Sequence, residues 1–233
     1  MSDRARGQGL AVVLLSGGLD SCVTAAMAAR EHELAVLHAS YGQRTAARER
    51  RAFYAIADHF EVSAARRRVL ELGFLGSLGG SALTDPRAPL PEGAPGHGVP
   101  ATYVPFRNAH LLAAAVSWAE ILGARSVWIG AVEEDSSGYP DCREEFFRAF
   151  QAAARAGTRD GGALSVTTPV IGMSKRRIVE TGVELGAPLH LTWSCYRNDE
   201  RACGRCESCW LRLSGFRAAG LDDPVPYEPR SAR

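Results

Sequence analysis

The chain has 233 residues, 27 Lys+Arg against 26 Asp+Glu, a formal net charge of +1 and 46% hydrophobic content. That balance excludes a disordered or fibrous chain and lacks the global basic excess of a protein built around a nucleic-acid duplex. No apolar run approaches the roughly 20 residues of a membrane-spanning helix, and the polar start, Met1 to Gly9, has no apolar leader core, so a soluble, cytoplasmic protein is expected.

Leu10-Ala-Val-Val-Leu-Leu15 is a short continuous apolar run, the pattern of a strand buried on both faces in a parallel sheet. It ends in Ser-Gly-Gly. Residues 19–30 then place Ala, Val and Met at helical spacing, and 34–38 read as a second strand, giving a βαβ opening. A helix over 45–60 leads to a third strand over 62–70. Between 73 and 100, Gly and Pro fill 12 of 28 positions, too many for regular structure. A flexible loop is expected there, suited equally to a lid or to a solvated insertion with no role. An Ala- and Leu-rich helix over 108–122, a strand over 125–131 and an acidic turn Glu133-Glu-Asp135 follow. Helices over 143–156 and 174–185 complete the series, the last with Ser174 as N-cap. This alternation predicts an α/β fold with a doubly wound parallel sheet, one domain over 1–233. The last forty residues read as a small C-terminal zinc-binding appendage, with 190–220 as the metal-binding subregion.

Of six cysteines, Cys22 and Cys142 are isolated, while Cys195, Cys203, Cys206 and Cys209 form C-x7-C-x2-C-x2-C. A cluster this tight favours a metal over bridges, and a reducing compartment. Four thiolates converging tetrahedrally, with Gly204 easing the turn, suit Zn²⁺ in a closed structural site. An iron–sulfur cluster also takes four Cys, but its usual spacing and accompanying Pro are missing. With no open ligand position, the metal is expected to organise the fold rather than perform chemistry.

Ser16-Gly17-Gly18-Leu19-Asp20-Ser21 sits where the first strand hands over to the first helix. Glycines allow a tight turn, and successive N–H groups together with the positive end of the helix suit a phosphate. The Gly-Lys-Ser/Thr ending of a Walker A loop is missing, and so is the G-x-G-x-x-G fingerprint. The six residues resemble the SGGxDS pyrophosphate loop of ATP pyrophosphatases, enzymes of adenine nucleotide alpha-hydrolase-like fold that cleave ATP between the α- and β-phosphates and adenylate a substrate. The resemblance implies ATP binding by Leu15, Ser16, Gly17, Gly18, Leu19, Asp20 and Ser21, with Asp20 and Ser21 arranging the phosphates and Mg²⁺.

Further stretches narrow it. Tyr41-Gly-Gln-Arg44, Val104-Pro-Phe-Arg-Asn108, Tyr139-Pro-Asp-Cys142, Ser174-Lys175, Thr192-Trp-Ser-Cys195 with the cysteine cluster, and Leu211-Arg212 run in order from the loop to about residue 216. Together they resemble the 7-cyano-7-deazaguanine synthase family of the queuosine pathway. What this implies is a carbon–nitrogen ligase, acting as a homodimer, that converts 7-carboxy-7-deazaguanine and ammonia to the nitrile through adenylated acid and amide intermediates. ATP would be spent to AMP and pyrophosphate. Because a carboxylate and a triphosphate repel, cations must neutralise charge where it develops. Lys175 and Arg107 are the candidates, with Arg44 for the substrate or phosphates. The implied substrate set is Tyr41, Gln43, Arg44, Arg107, Asn108, Tyr139 and Asp141. Asp141 is expected to read the guanine-like edge, since a carboxylate accepts from the ring N–H and exocyclic amine together, and Tyr41 and Tyr139 to border the flat ring. Cys142, His38 and His110 are expected to pack rather than react. Phe106, Thr45 and Asn198 stand where the family often has Gly, His and Gly.

Two other readings compete. A related adenylating enzyme would join the deazaguanine carboxyl to another amine. A tRNA-binding or thiolating protein would use the cysteine knuckle and Arg66 to Arg68, but the neutral charge disfavours direct nucleic-acid binding. A glutaminase domain is not evident, so free ammonia is the expected nitrogen donor.

Overall fold

A computed structural model describes residues 9–133, 138–159 and 163–229. Among them five strands, β1 (Leu10–Leu14), β2 (Glu33–Ser40), β3 (Arg67–Glu71), β4 (Ser126–Ile129) and β5 (Ser165–Thr167), form one sheet. Its order is β3-β2-β1-β4-β5, and every pairing is parallel. The helices are α1 (Leu19–Ala28), α2 (Ala46–His59), α3 (Gly73–Ser77), α4 (Arg107–Leu122), α5 (Glu144–Gly157), α6 (Lys175–Glu184) and α7 (Glu207–Ala218).

The unbroken apolar run of β1 has a physical cause: successive side chains point to opposite faces, and both faces are covered. Ala11, Val13 and Leu15 pack with Cys22, Phe53 and Ile56 from α1 and α2. Val12 and Leu14 pack with Leu112, Ala115 and Phe147 from α4 and α5. Each fully buried Val or Leu contributes roughly 1.5–3 kcal/mol, so a polar residue on either face of β1 would be costly.

From β1 the chain steps outward through α1, β2, α2 and β3, then returns through 72–106 to α4 and enters β4 on the other side of β1. The connections leaving β1 and β4 therefore diverge. Such a switch point opens a crevice outside the carboxyl ends of the strands, and the Ser16–Ser21 loop lies at its edge.

The α/β alternation expected from the sequence is what the chain adopts, and Ser174 caps α6 by accepting from the Arg177 N–H at 3.3 Å. The third strand is shorter than read, because 64–66 form a 3₁₀ turn before β3 begins. β5 and α7 were not anticipated: β5 is three half-buried residues, and in α7 cysteine and charge interrupt the apolar period. The acidic turn falls partly outside the described residues. Within 73–100, α3 is followed by irregular backbone whose Leu83 and Leu90 bury with Leu75, Val104 and Tyr41. The Arg44 guanidinium ties this stretch down by donating to the Asp85 and Ala88 carbonyls. Among the described residues no helix is long and apolar enough to cross a membrane.

Candidate active site

The Ser16–Ser21 loop is held by its own hydroxyls. Ser16 Oγ accepts from the Gly18 N–H at 3.2 Å, Ser21 Oγ donates to the Gly18 carbonyl at 3.0 Å, and the two hydroxyls lie 3.0 Å apart. Gly17 has φ +91°, and a Cβ there would meet the Glu49 carbonyl oxygen at 2.6 Å, so only glycine fits beneath the loop. At the end of β4 a Cβ on Gly130 would lie 2.8 Å from the backbone of Asp20 and Ser21. The start of α1 thus crosses directly over β4. Its first-turn N–H groups lack helical partners and carry the positive end of the helix into the crevice. Trp193 N–H donates to the Gly17 carbonyl at 2.8 Å, fastening the C-terminal region to the loop.

Lys175, the first residue of α6, brings its Nζ to 2.9 Å from both carboxylate oxygens of Asp20. The side chains are 12% and 28% exposed, enough for a ligand to compete for either. Across the crevice, Arg107 Nη1 donates to the Tyr41 hydroxyl at 3.0 Å, and the guanidinium stands 5.2 Å from the Tyr41 ring centroid. Burial opposes the Arg107 charge, but Tyr41, Tyr139, Cys142 and Asp141 hold its pKa above the ordinary guanidinium value. Burial pushes the Tyr41 hydroxyl up as well, so it stays a neutral phenol.

These groups enclose a cavity of about 280 Å³. The structure brings Leu15, Ser16, Gly18, Leu19, Asp20, Ser21, Tyr41, Arg107, Asn108, Tyr139 and Lys175 together on its walls. Four residues singled out from the sequence lie off them. Gly17 is buried beneath the loop. Gln43 accepts from the Tyr41 N–H at 2.8 Å and donates to the Ala39 carbonyl and to Glu49 Oε2. Arg44 is occupied with carbonyls of 85–88. Asp141 is 2% exposed; its Oδ2 accepts from the Asn108 N–H at 2.9 Å, satisfying an orphan donor at the start of α4. Asn108 Nδ2 answers by donating to the Asp141 carbonyl at 2.8 Å.

Sequence reasoning missed Glu49, Tyr196 and Glu207 and read Trp193, Ser194 and Arg212 only as motif residues without a place in the site; all six line the same walls. Glu49 takes the Thr45 hydroxyl on Oε1 at 2.8 Å and Gln43 Nε2 on Oε2 at 3.1 Å. Burial raises its carboxyl pKa, and these two hydrogen bonds oppose the rise. A signal existed, since Thr45 and Glu49 are spaced i,i+4 at a helix start. Glu207 was masked by its position inside the cysteine cluster.

The four sulfurs of Cys195, Cys203, Cys206 and Cys209 all lie within 4.8 Å of one another, and all four residues are buried. Cys203 Sγ and Cys209 Sγ are 3.9 Å apart, near the roughly 3.8 Å edge of a tetrahedron with 2.3 Å metal–sulfur bonds. Backbone N–H groups of Arg197, Asn198 and Cys203 point at Cys195 Sγ, each at 3.4 Å, and that of Cys206 at Cys203 Sγ at 3.3 Å. Amide donors aimed at sulfur favour thiolates. The donor set and its dimensions fit one tetrahedral metal ion.

A family model described as "Queuosine biosynthesis protein QueC" matches residues 10–220. The chain is 55% identical over 229 residues to the 7-cyano-7-deazaguanine synthase of Koribacter versatilis, covering 96% of this chain and 95% of the relative. The synthases of Acidobacterium capsulatum and Chlorobium luteolum are 55% and 52% identical over 225 and 223 residues, each covering 94% of this chain and 97% of the relative. Among solved structures, the U34-tRNA thiolase NcsA from Methanococcus maripaludis aligns over 78% of this chain and 57% of that one, with TM-score 0.47 and 10% identity, too distant to argue from.

Proposed function

The chain belongs to the QueC family of queuosine biosynthesis proteins, and from that premise we propose that it converts 7-carboxy-7-deazaguanine and ammonia to 7-cyano-7-deazaguanine at the expense of two ATP. The observation that carries the reading is one cavity lined by the Ser16–Ser21 loop, the Lys175–Asp20 pair and the Arg107–Tyr41 pair; we assign the loop and Lys175 to the phosphates.

A carboxylate oxygen attacks the α-phosphorus of ATP and pyrophosphate leaves. Ammonia displaces AMP to give the amide, shedding a proton. The amide oxygen attacks a second α-phosphorus, pyrophosphate leaves, and loss of AMP and of both N–H protons gives the nitrile. The chain's part is electrostatic. Loop N–H groups and the α1 N-terminus hold the phosphates, and Lys175 sits where charge builds on the α-phosphate. Arg107, kept cationic, holds the substrate carboxylate for in-line attack. Tyr41, Tyr139 and Tyr196 wall off water that would hydrolyse the acyl-adenylate.

Asp20 gives one carboxylate at the phosphate end, and one carboxylate plus substrate phosphates is a common Mg²⁺ environment; bound Mg²⁺ would neutralise phosphate charge. Zn²⁺ is our reading of the four-cysteine site, a structural ion that fixes the start of α7. We also read the chain as a single domain over 1–233, with 73–100 bordering the site, working as a homodimer in the cytoplasm. Family membership and the motifs support these assignments.

The test is incubation with 7-carboxy-7-deazaguanine, ammonium and MgATP, with mass spectrometry of the products. The expected outcome is the nitrile with two AMP and two pyrophosphate per turnover. An end product that is an amide or a conjugate to another amine, or release of ADP, would overturn the reading.

A further inference from the structure

The cavity is walled by three carboxylates among the described residues, and two of them are already engaged. Asp20 has both oxygens on Lys175 Nζ, and Glu49 has one donor on each oxygen. The third, Glu207, is the first residue of α7 and is 7% exposed. Its carboxylate receives one hydrogen bond among the described residues, from Thr102 Oγ1 at 3.4 Å, and that hydroxyl lies only 2.6 Å from the Tyr139 hydroxyl. A buried carboxylate with a single long donor is under-satisfied, and that state is expensive unless a ligand supplies donors. Asp141, the carboxylate suggested by the sequence for the heterocycle, lies off the walls: Oδ2 caps α4, and Oδ1, though without a donor among the described residues, is buried away from the cavity.

We propose that Glu207 is the specificity-determining residue that reads the guanine-like edge of the substrate, its two oxygens accepting from the ring N–H and the exocyclic amine. This rests on the reading of the chain as a deazaguanine-nitrile-forming enzyme. The chemistry matches at both ends of the substrate. A guanine-like edge presents two adjacent donors, and a carboxylate is an acceptor-only group with two oxygens at the matching spacing. The carboxyl of the substrate is carried on its five-membered ring, remote from that edge, and is an anion that Arg107 attracts and Glu207 repels. A cation and an under-satisfied carboxylate lining the same cavity thereby set the direction in which the heterocycle enters. Tyr139, adjacent to Thr102, borders the same wall, and an aromatic side chain there suits a flat ring.

Glu207→Gln removes the charge, puts an N–H₂ where an acceptor is needed and preserves the side-chain shape. Steady-state kinetics would be run with 7-carboxy-7-deazaguanine and with its analogue lacking the exocyclic amine, 7-carboxy-7-deazahypoxanthine, alongside metal content and KM for ATP. The expected results are a preference of the unaltered protein for the amine-bearing substrate by about 10²-fold or more, and a fall of about 10²-fold in kcat/KM for that substrate in E207Q. The preference should shrink to within about tenfold, with metal content and KM for ATP unchanged. Equal losses on both substrates with the preference intact, or no loss, would overturn the assignment. If E207Q fails to fold or to hold metal, Glu207→Asp keeps the charge at the α7 start and decides: a raised KM for the heterocycle with the preference retained supports the proposal, and an unchanged KM contradicts it. Failure of the unaltered protein to turn over either heterocycle would instead sink the functional reading itself.

Discussion

Around β1, Ala11, Val12 and Val13 are fully buried among Phe53, Ile56 and Leu112, whereas in the region of Cys206 four sulfurs, a guanidinium and carboxylates are buried beside Trp193, Ala52 and Ala202. Arg212 shows the contrast most sharply. It is bidentate to Asp223 at 2.7 and 2.9 Å with both side chains 2% exposed, and it also donates to Thr192 Oγ1 at 2.7 Å. Tyr227 OH adds a bond to Asp223 at 2.6 Å, so the chain beyond α7 is tied back to α7 through one buried charge pair. The sheet therefore owes its order to apolar area and ladder hydrogen bonds. The tail from Leu189 to Glu228 has apolar contacts of its own, through Phe216 on α1 and α6 and Trp193 on Ala52, and adds to them a four-cysteine cluster that could hold a metal and a paired charge, interactions that fail all at once when one partner is removed. Yet the two regions share a cavity, one supplying the Ser16–Ser21 loop and the other Trp193, Glu207 and Arg212.

The largest expected effect is that of removing the ion proposed for the four-cysteine site. A structural Cys₄ ion contributes on the order of 10 kcal/mol, so stripping it with a chelator should open residues 195–228 to limited proteolysis while amide protons of β1, β2 and β4 stay protected. Simultaneous loss of protection in both regions would abolish the distinction. Next is Asp223→Ala, which leaves Arg212 buried and uncompensated at a cost of about 3–5 kcal/mol. Hydrogen exchange should report that loss in α7 and the tail rather than in the sheet.

A test on the sheet side uses His38, which is 1% exposed, stacked on Phe53 and in contact with the Leu15 carbonyl through Nδ1. Burial lowers its pKa from 6.5 to about 4. Between those values the unfolded chain binds a proton that the fold refuses, so stability falls as pH drops from 6.5 towards 4 and levels off below. The gap corresponds to about 3 kcal/mol, and urea unfolding at pH 7, 5.5 and 4 should lose most of that slope in His38→Gln. The smallest effect is at Phe106, which holds φ +57° at the start of α4 with its ring 59% exposed. Phe106→Gly relieves left-handed strain of about 1 kcal/mol and should raise Tm slightly. A fall would assign more weight to its edge contact with Phe146.

How far the sequence carries depends on how local each interaction is. The β1 run and the six-residue loop are legible because their burial and turn are set by neighbours in the chain, and the cysteine spacing is legible because sulfur is scarce. Asp141 was harder: its Oδ2 is consumed by the Asn108 N–H, a partner 33 residues away that only the α4 start brings into reach. Gln43 and Arg44 sit within a motif, yet their polar atoms satisfy the Tyr41 N–H, Ala39, Glu49 and the carbonyls of 85–88. Glu207 reads in sequence as a spacer between thiolates, and its importance arises only where α7 meets Thr102 and Tyr139.

On the proposed function, the loop region directs a carboxylate, and then an amide, onto the α-phosphorus of ATP. Turnover of 7-carboxy-7-deazaguanine labelled with ¹⁸O in both carboxyl oxygens, with the nucleotide products resolved by mass spectrometry, tests it most directly. The expected products are two AMP per nitrile, each carrying one ¹⁸O, with none in pyrophosphate. Label in inorganic phosphate accompanied by ADP, or AMP without label, would contradict it.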